Sequence, residues 1–216
     1  MVEHGDPAPA PAVDVILASA SPRRRELLER IGLRLRVEAA DIDESPRPGE
    51  GAADYVRRMA TSKAEAALGS PGTRAAALDI PLLAADTTVI VSGEILGKPA
   101  DAAEARAMLT RLAGRRHEVT TAYRIHLAGR HIDRAVTTTV AVRLLQPREI
   151  DAYVACGEWR GKAGGYAVQG VAEAFVTELR GSLTNVVGLP LAEVLADLRA
   201  IGGLGAYPPL AFPEGA

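Results

Sequence analysis

One cysteine, Cys156, is all that 216 residues contain. That excludes an internal disulfide framework and a metal centre built from several thiolates, and it suits a reducing compartment. Packing is the role expected of that thiol. No apolar run approaches the roughly 18 residues that cross a bilayer, and residues 1–12 (MVEHGDPAPAPA) lack the basic and apolar regions of a secretion signal. A cytoplasmic protein with no membrane partner is expected. Positive charge is not in excess either: 25 Lys and Arg against 27 Asp and Glu leave a net charge of -2. Nucleic-acid binding through bulk electrostatics is therefore not indicated, and any polyanion must be held locally. Internal repeats are absent as well. A hydrophobic content of 48% is enough for a real core, expected over one domain at 13–203, with a flexible leader at 1–12 and a Pro-rich tail at 204–216.

What is present is a series of short elements with clear punctuation. Val13, Val15, Ile16 and Leu17 read as a buried strand, and Ser21 and Pro22 open a helix carried by Leu27, Leu28 and Ile31 and ended by Gly32. A strand over LRLRVEAA, an acidic turn (AADIDESPRPGE) and a helix from about Ala52 to Leu68 follow, then a surface connection, SPGTRAAALD. The apolar strand PLLAADTTVIVSGEIL turns back at Ser92-Gly93, and Asp101 caps a helix whose Met108, Leu109 and Leu112 face the core. Two Thr- and Val-rich strands, HEVTTAYRIHLAG and DRAVTTTVAVRLL, are joined by AGRH. A helix from Pro147, the Gly-rich GKAGGYAVQG, a strand AFVTEL, a loop RGSLTNVVGLP and a last helix LAEVLADLRAI complete the chain. Interspersed helices and recurrent hairpins point to an α/β fold, a mixed sheet flanked by helices.

Chemistry is suggested first by Arg23, Arg24 and Arg25, which stand where the first helix begins. The free N–H groups and the dipole are already positive there, so the arginines sit at the wrong end for stability, and an anion would relieve the conflict. With the Ser19 and Ser21 hydroxyls they make a phosphate cradle; the alternative is a solvated basic face. Asp86 interrupts an apolar strand, and a carboxylate there needs a partner, a metal or a catalytic role. Glu44, closing the DIDE turn, has the oxygen ligands to join it around a hard divalent cation. Lys63, Lys98 (in the rigid GKP context) and Lys162 (in the Gly-rich loop) are candidates for neutralising phosphate charge. Gln169 in that loop carries the amide acceptor and donors that match the N3–H and O4 edge of uracil or thymine.

Taken together, SASPRRREL, the ADT at 85–87, GEILGKPAD, LAGRRHEVTTA, GKAGGYAVQG and GSLTNVVGLPL resemble the Maf family of nucleoside triphosphate pyrophosphatases over roughly residues 13 to 200. The resemblance implies an elongated fold of the inosine-triphosphatase type, with two lobes about a central cleft. It also implies hydrolysis of a nucleoside triphosphate to monophosphate and pyrophosphate with magnesium or manganese, and a homodimer. Carried over by position, the general base falls on Asp86, and base selection falls on Arg23, Thr87 and Gln169, the combination of the branch that acts on dTTP and UTP rather than 7-methyl-GTP. Ser19, Arg24, Glu44, Lys63, Lys98 and Lys162 match positions around phosphates and metal. Gly161 departs from the pattern, because relatives commonly have an acidic residue before the lysine, and the leader is extra. On this reading the triphosphate lies across the Ser19 to Arg25 cradle, and Asp86, helped by the metal, takes a proton from water attacking the α-phosphorus. The alternatives are a pyrophosphatase for modified nucleotides and a non-catalytic nucleotide-binding regulator of cell division.

Overall fold

In the computed structural model, which describes residues 13–39 and 41–205, Val15–Ala18 forms strand β1, buried along its whole length, and the chain passes through Ser19 into helix α1 (Pro22–Arg30). Pro22 opens the helix with its fixed φ, and Leu27 and Leu28 enter the core. Ser21 departs from expectation. Its hydroxyl makes no cap; instead Ser19 Oγ accepts the Ser21 N–H at 3.2 Å, so the upstream serine braces the turn. The remaining elements are β2 (Leu35–Val37), α2 (Ala52–Gly69), α3 (Pro71–Ala76), β3 (Leu82–Val91), β4 (Glu94–Leu96), α4 (Ala102–Leu112), β5 (Arg116–Leu127), β6 (Arg130–Val142), α5 (Pro147–Cys156), β7 (Val176–Arg180), α6 (Leu183–Val187) and α7 (Leu191–Ala200).

Two stretches expected as loops are short helices. Within SPGTRAAALD, Pro71 starts α3 and Thr73 is buried. Within RGSLTNVVGLP, Ser182 Oγ accepts the Asn185 N–H and caps α6. Both contain only five or six helical residues, too few to leave an apolar period. Cys156 is exposed at the end of α5, where Sγ faces the Tyr153 carbonyl oxygen at 2.9 Å, so the expected packing role is corrected. The expected leader, and the expected tail beyond its first two residues, lie outside the described residues. Among the described residues no helix is long and apolar enough to cross a membrane.

The strands form one seven-stranded mixed sheet in the order β2-β1-β3-β5-β6-β7, with β4 also on β3. β1 runs parallel to β2 and β3; the other pairings are antiparallel. Alternation along β3 sends Leu83, Ala85, Val89 and Val91 to the larger core, which holds Leu27 and Leu28 of α1, Met108, Leu109 and Leu112 of α4, and Val194 and Leu198 of α7. Leu82 and Ala84 face the other side, against Ala64 and Ala67 of α2. A slip of one residue would drive Asp86 into the larger core, so the pairing of Asp86 with Ala122 and Thr87 with Thr121 is strongly specified.

The sheet is interrupted along one edge of β3. One edge of β3 pairs with β1 through Leu82, Leu83 and Ala84, and with β4 through Val89, Ile90 and Val91. Among the described residues no strand covers that edge over residues 85–88. The chain therefore opens a cleft at that edge, bounded on one side by the β1–α1 turn and on the other by Lys98, beyond β4, and the Gly-rich segment.

Candidate active site

Asp86 and Thr87 occupy the middle of the uncovered edge and, being neighbours on a strand, leave it on opposite faces. Both line a cleft of about 730 Å³, together with Ser19, Ser21, Arg23, Arg24, Glu44, Lys63, Lys98, Lys162 and Gln169. Every residue expected to carry chemistry, Arg25 excepted, is thus on one cavity, although the chain separation between them reaches well over a hundred positions.

On the α2 face, Lys63 Nζ is 2.6 Å from Asp86 Oδ1 and 2.6 Å from Glu44 Oε1. Lys98 Nζ approaches the other Glu44 oxygen at 3.3 Å and remains mostly in solvent. Two carboxylates and two ammoniums therefore alternate in a chain across one end of the cleft. Partial burial raises the Glu44 pKa, but the adjacent Lys63 and Lys98 charges outweigh it and hold the group below its usual value.

On the α1 face the cations are held differently. Buried Arg24 donates from Nε to the Gly188 carbonyl oxygen (2.8 Å), from Nη1 to Ser19 Oγ (3.1 Å) and from Nη2 to Thr87 Oγ1 (2.9 Å). Arg23 donates to the Val187 carbonyl oxygen at 3.3 Å, and Lys162 to the Arg160 carbonyl oxygen at 3.4 Å. All these acceptors are neutral. Burial pulls the pKa of Arg23, Arg24 and Lys162 below the usual values, and for Lys162 the positive charge of Arg23 adds to the effect. Three cations wholly or partly stripped of water, and touching no carboxylate among the described residues, are energetically set to receive an anion. Arg25 is the exception to the expected cradle: it points outward and pairs with Glu29 one turn on, so of the three arginines that open α1 two face the cleft and the third faces solvent.

Residues that sequence reasoning passed over hold this face together. Thr87 Oγ1 and Thr121 Oγ1 are 2.9 Å apart, and Thr121 donates to the Asn185 carbonyl oxygen at 3.0 Å. Asn185, fully buried, donates from Nδ2 to the Val119 carbonyl oxygen and to Thr138 Oγ1. This fastens α6 to the sheet, and the carbonyls at its end, Val187 and Gly188, receive the two arginines. The Thr-rich strand was legible as strand; that its hydroxyls anchor a helix end required the packing.

The Gly-rich segment forms the remaining wall. Gly164 donates its N–H to the Gly97 carbonyl oxygen and adopts φ +70, and a Cβ added to it would stand only 3.0 Å from the Val89 side chain. Only glycine permits that approach. Gly161, the departure from the family pattern, also lies at positive φ (+67), with nothing within 4 Å of where a Cβ would be. Tyr166 is buried behind the wall, its hydroxyl 2.7 Å from His117 Nε2. Gln169 is exposed at the cleft mouth and shares an adjoining depression with Arg23 and Glu26.

Comparison with known proteins identifies the family. A family model described as "Maf-like protein" matches residues 14–201. A dTTP/UTP pyrophosphatase of Anaeromyxobacter dehalogenans is 52% identical over 192 residues, spanning 87% of this chain and 94% of that protein. One from Cereibacter sphaeroides is 48% identical over 189 residues (87% and 95%), and one from Sphingopyxis alaskensis is 52% identical over 190 (87% and 96%). A solved HAM1 protein from Coxiella burnetii superposes with a TM-score of 0.39 at 15% identity over 59% of this chain and 72% of that one, a likeness too slight to carry weight. With the matched region spanning β1 to α7 and relatives near half identity over almost their full length, the chain belongs to the Maf-like protein family.

Proposed function

We propose that this protein hydrolyses nucleoside triphosphates, dTTP and UTP foremost, to the monophosphate and pyrophosphate. The observation that carries the reading is the convergence of Arg23, Arg24 and Lys162, none touching a carboxylate among the described residues, on the cleft that also holds Asp86. An anion of several charges seated there restores to the buried guanidiniums the interactions that burial removed. The names of the relatives, dTTP/UTP pyrophosphatase, support the same reaction class.

On this reading the triphosphate runs from the arginines toward Lys63 and Lys98, and these side chains neutralise the charge that grows on the phosphoryl oxygens. Asp86 acts as general base. Lys63 occupies Oδ1 and fixes the carboxylate, which leaves Oδ2 to orient a water and take its proton as the water attacks the α-phosphorus. Pyrophosphate departs, and no covalent intermediate is needed.

The donor set also suits a hard cation such as magnesium or manganese. Glu44 and Asp86 already enclose one positive centre, the Lys63 ammonium, at 2.6 Å each. Among the described residues no cluster of three or more His, Cys, Asp or Glu forms a cage, so two carboxylates would hold the ion and phosphate and water would complete its shell, the usual arrangement for magnesium. Bound there, the cation supplies further neutralisation of phosphate charge.

At the cleft mouth, Gln169 accepting from N3–H and donating to O4 fits uracil and thymine; cytosine presents the reverse pattern. Pyrophosphate release from the eight common nucleoside triphosphates, assayed side by side with magnesium, tests reaction and base choice together. UTP and dTTP are expected to lead; preference for CTP, or tight binding with no turnover, overturns the reading.

A further inference from the structure

Glu158, just beyond α5, lines the same cleft, although a carboxylate is an unwelcome neighbour for a triphosphate. Its chemistry is directed elsewhere. Both carboxylate oxygens accept the Val171 N–H, at 2.9 and 3.2 Å, which clamps the backbone on the far side of the turn that carries Gln169. The clamp is tight: a Cβ on Gly170 would overlap the carboxylate, 2.8 Å from one Glu158 oxygen and closer still to the other. Gly170 has φ -136, outside the left-handed region, and what a side chain there would meet is the Glu158 carboxylate.

We infer that Glu158 is a positioning residue for base selection, fixing the Gln169 amide against the pyrimidine edge by holding Val171 across Gly170. The inference rests on the proposed reading of Gln169. An exposed glutamine discriminates between two bases only if its amide is held in place, because a mobile amide turns over and offers cytosine the complementary pattern. The Gln169 side chain stands at the mouth of the cleft on a turn closed by the Gly170 N–H to Ala167 carbonyl bond and by the Glu158 clamp, and that turn supplies the order.

The experiment compares the UTP to CTP ratio of kcat/KM for wild type, Glu158→Ala, Glu158→Gln, Gly170→Ala, Glu158→Ala/Gly170→Ala and Gln169→Ala, with thermal melting to establish that each variant is folded. Glu158→Ala is expected to lower the ratio by about fivefold or more, the least that mispairing a hydrogen-bonded amide produces. Glu158→Gln, whose amide oxygen still accepts from Val171, keeps the ratio within about twofold. Gly170→Ala expels the carboxylate from its seat and reproduces the loss, and the double variant adds nothing further, as expected of residues acting through one contact. If Gln169→Ala changes the ratio and Glu158→Ala does not, the inference is overturned while the reading of Gln169 stands. If Gln169→Ala leaves the ratio unchanged, both fall. Equal losses with UTP and CTP in Glu158→Ala also overturn it, since they assign Glu158 to the phosphate end.

Discussion

Lys63 Nζ and Asp86 Oδ1 lie 2.6 Å apart, both side chains only about a tenth exposed, at 11% and 12%. An ion pair so placed is a poor source of net stability but a strict device for orientation, because either charge alone would be stranded. Asp86→Asn keeps the shape and a hydrogen-bond acceptor for Lys63 while removing the proposed base. Turnover of UTP is expected to fall on the order of a hundredfold or more, with binding of a non-hydrolysable analogue little changed. Wild-type turnover in that variant would withdraw the assignment. Lys63→Met, which leaves the buried carboxylate unpaired, is expected to lose roughly 3–5 kcal/mol in denaturant titration, part of it recovered in Lys63→Met/Asp86→Asn.

Arg24 spreads three donors over Gly188, Ser19 and Thr87, a fork geometry that one ammonium cannot reproduce. Arg24→Lys therefore retains the charge and loses the framework. Affinity for a non-hydrolysable UTP analogue, by calorimetry, is expected to drop about tenfold or more, the scale of one charge-assisted hydrogen bond. Unchanged affinity would mean that Arg24 serves only the fold.

Strand and helix identity was largely legible because short buried runs, Pro22, Asp101, Ser92-Gly93 and the Thr- and Val-rich pair each act locally. Asp86 was legible for a related reason, since polarity inside an apolar strand demands a partner. The identity of that partner was not legible. Lys63 lies 23 positions away on a helix, and only the placement of α2 over β3 brings the two together. The outward turn of Arg25 was likewise hidden, because three adjacent arginines look alike until the helix phase assigns each a side. Asn185 and Val187 belong to a segment whose composition reads as loop, so the carbonyls that hold two arginines leave no mark in the sequence.

His117 offers a pH test. Burial pulls its pKa from 6.5 to about 4, and only Tyr166 is bonded to its ring, Nδ1 having no partner atom among the described residues. In the unfolded chain it takes up a proton near pH 6.5, but in the folded chain only near 4, so its contribution is complete above 6.5 and is lost as pH falls through that window. The loss amounts to about 3 kcal/mol when complete. Denaturation midpoints are expected to decline from pH 7 to 4.5, with His126, lowered also by burial, adding a smaller share. In His117→Gln the decline should flatten; a slope equal to wild type would place the effect elsewhere.

Removal of divalent cation separates a catalytic ion from a structural one. In this fold Lys63 already satisfies Glu44 and Asp86, so nothing in the sheet or helices waits on a metal. Chelation is expected to abolish UTP turnover while leaving the thermal midpoint of the wild type in place. Lys63→Met should behave in the opposite way: with the ammonium gone, two carboxylates face a common point, and added magnesium or manganese raises the midpoint progressively with its concentration, as any ligand selective for the folded state does. A wild type that melts earlier on chelation, or a Lys63→Met protein indifferent to added cation, would contradict the assignment of those two carboxylates as the ion's ligands.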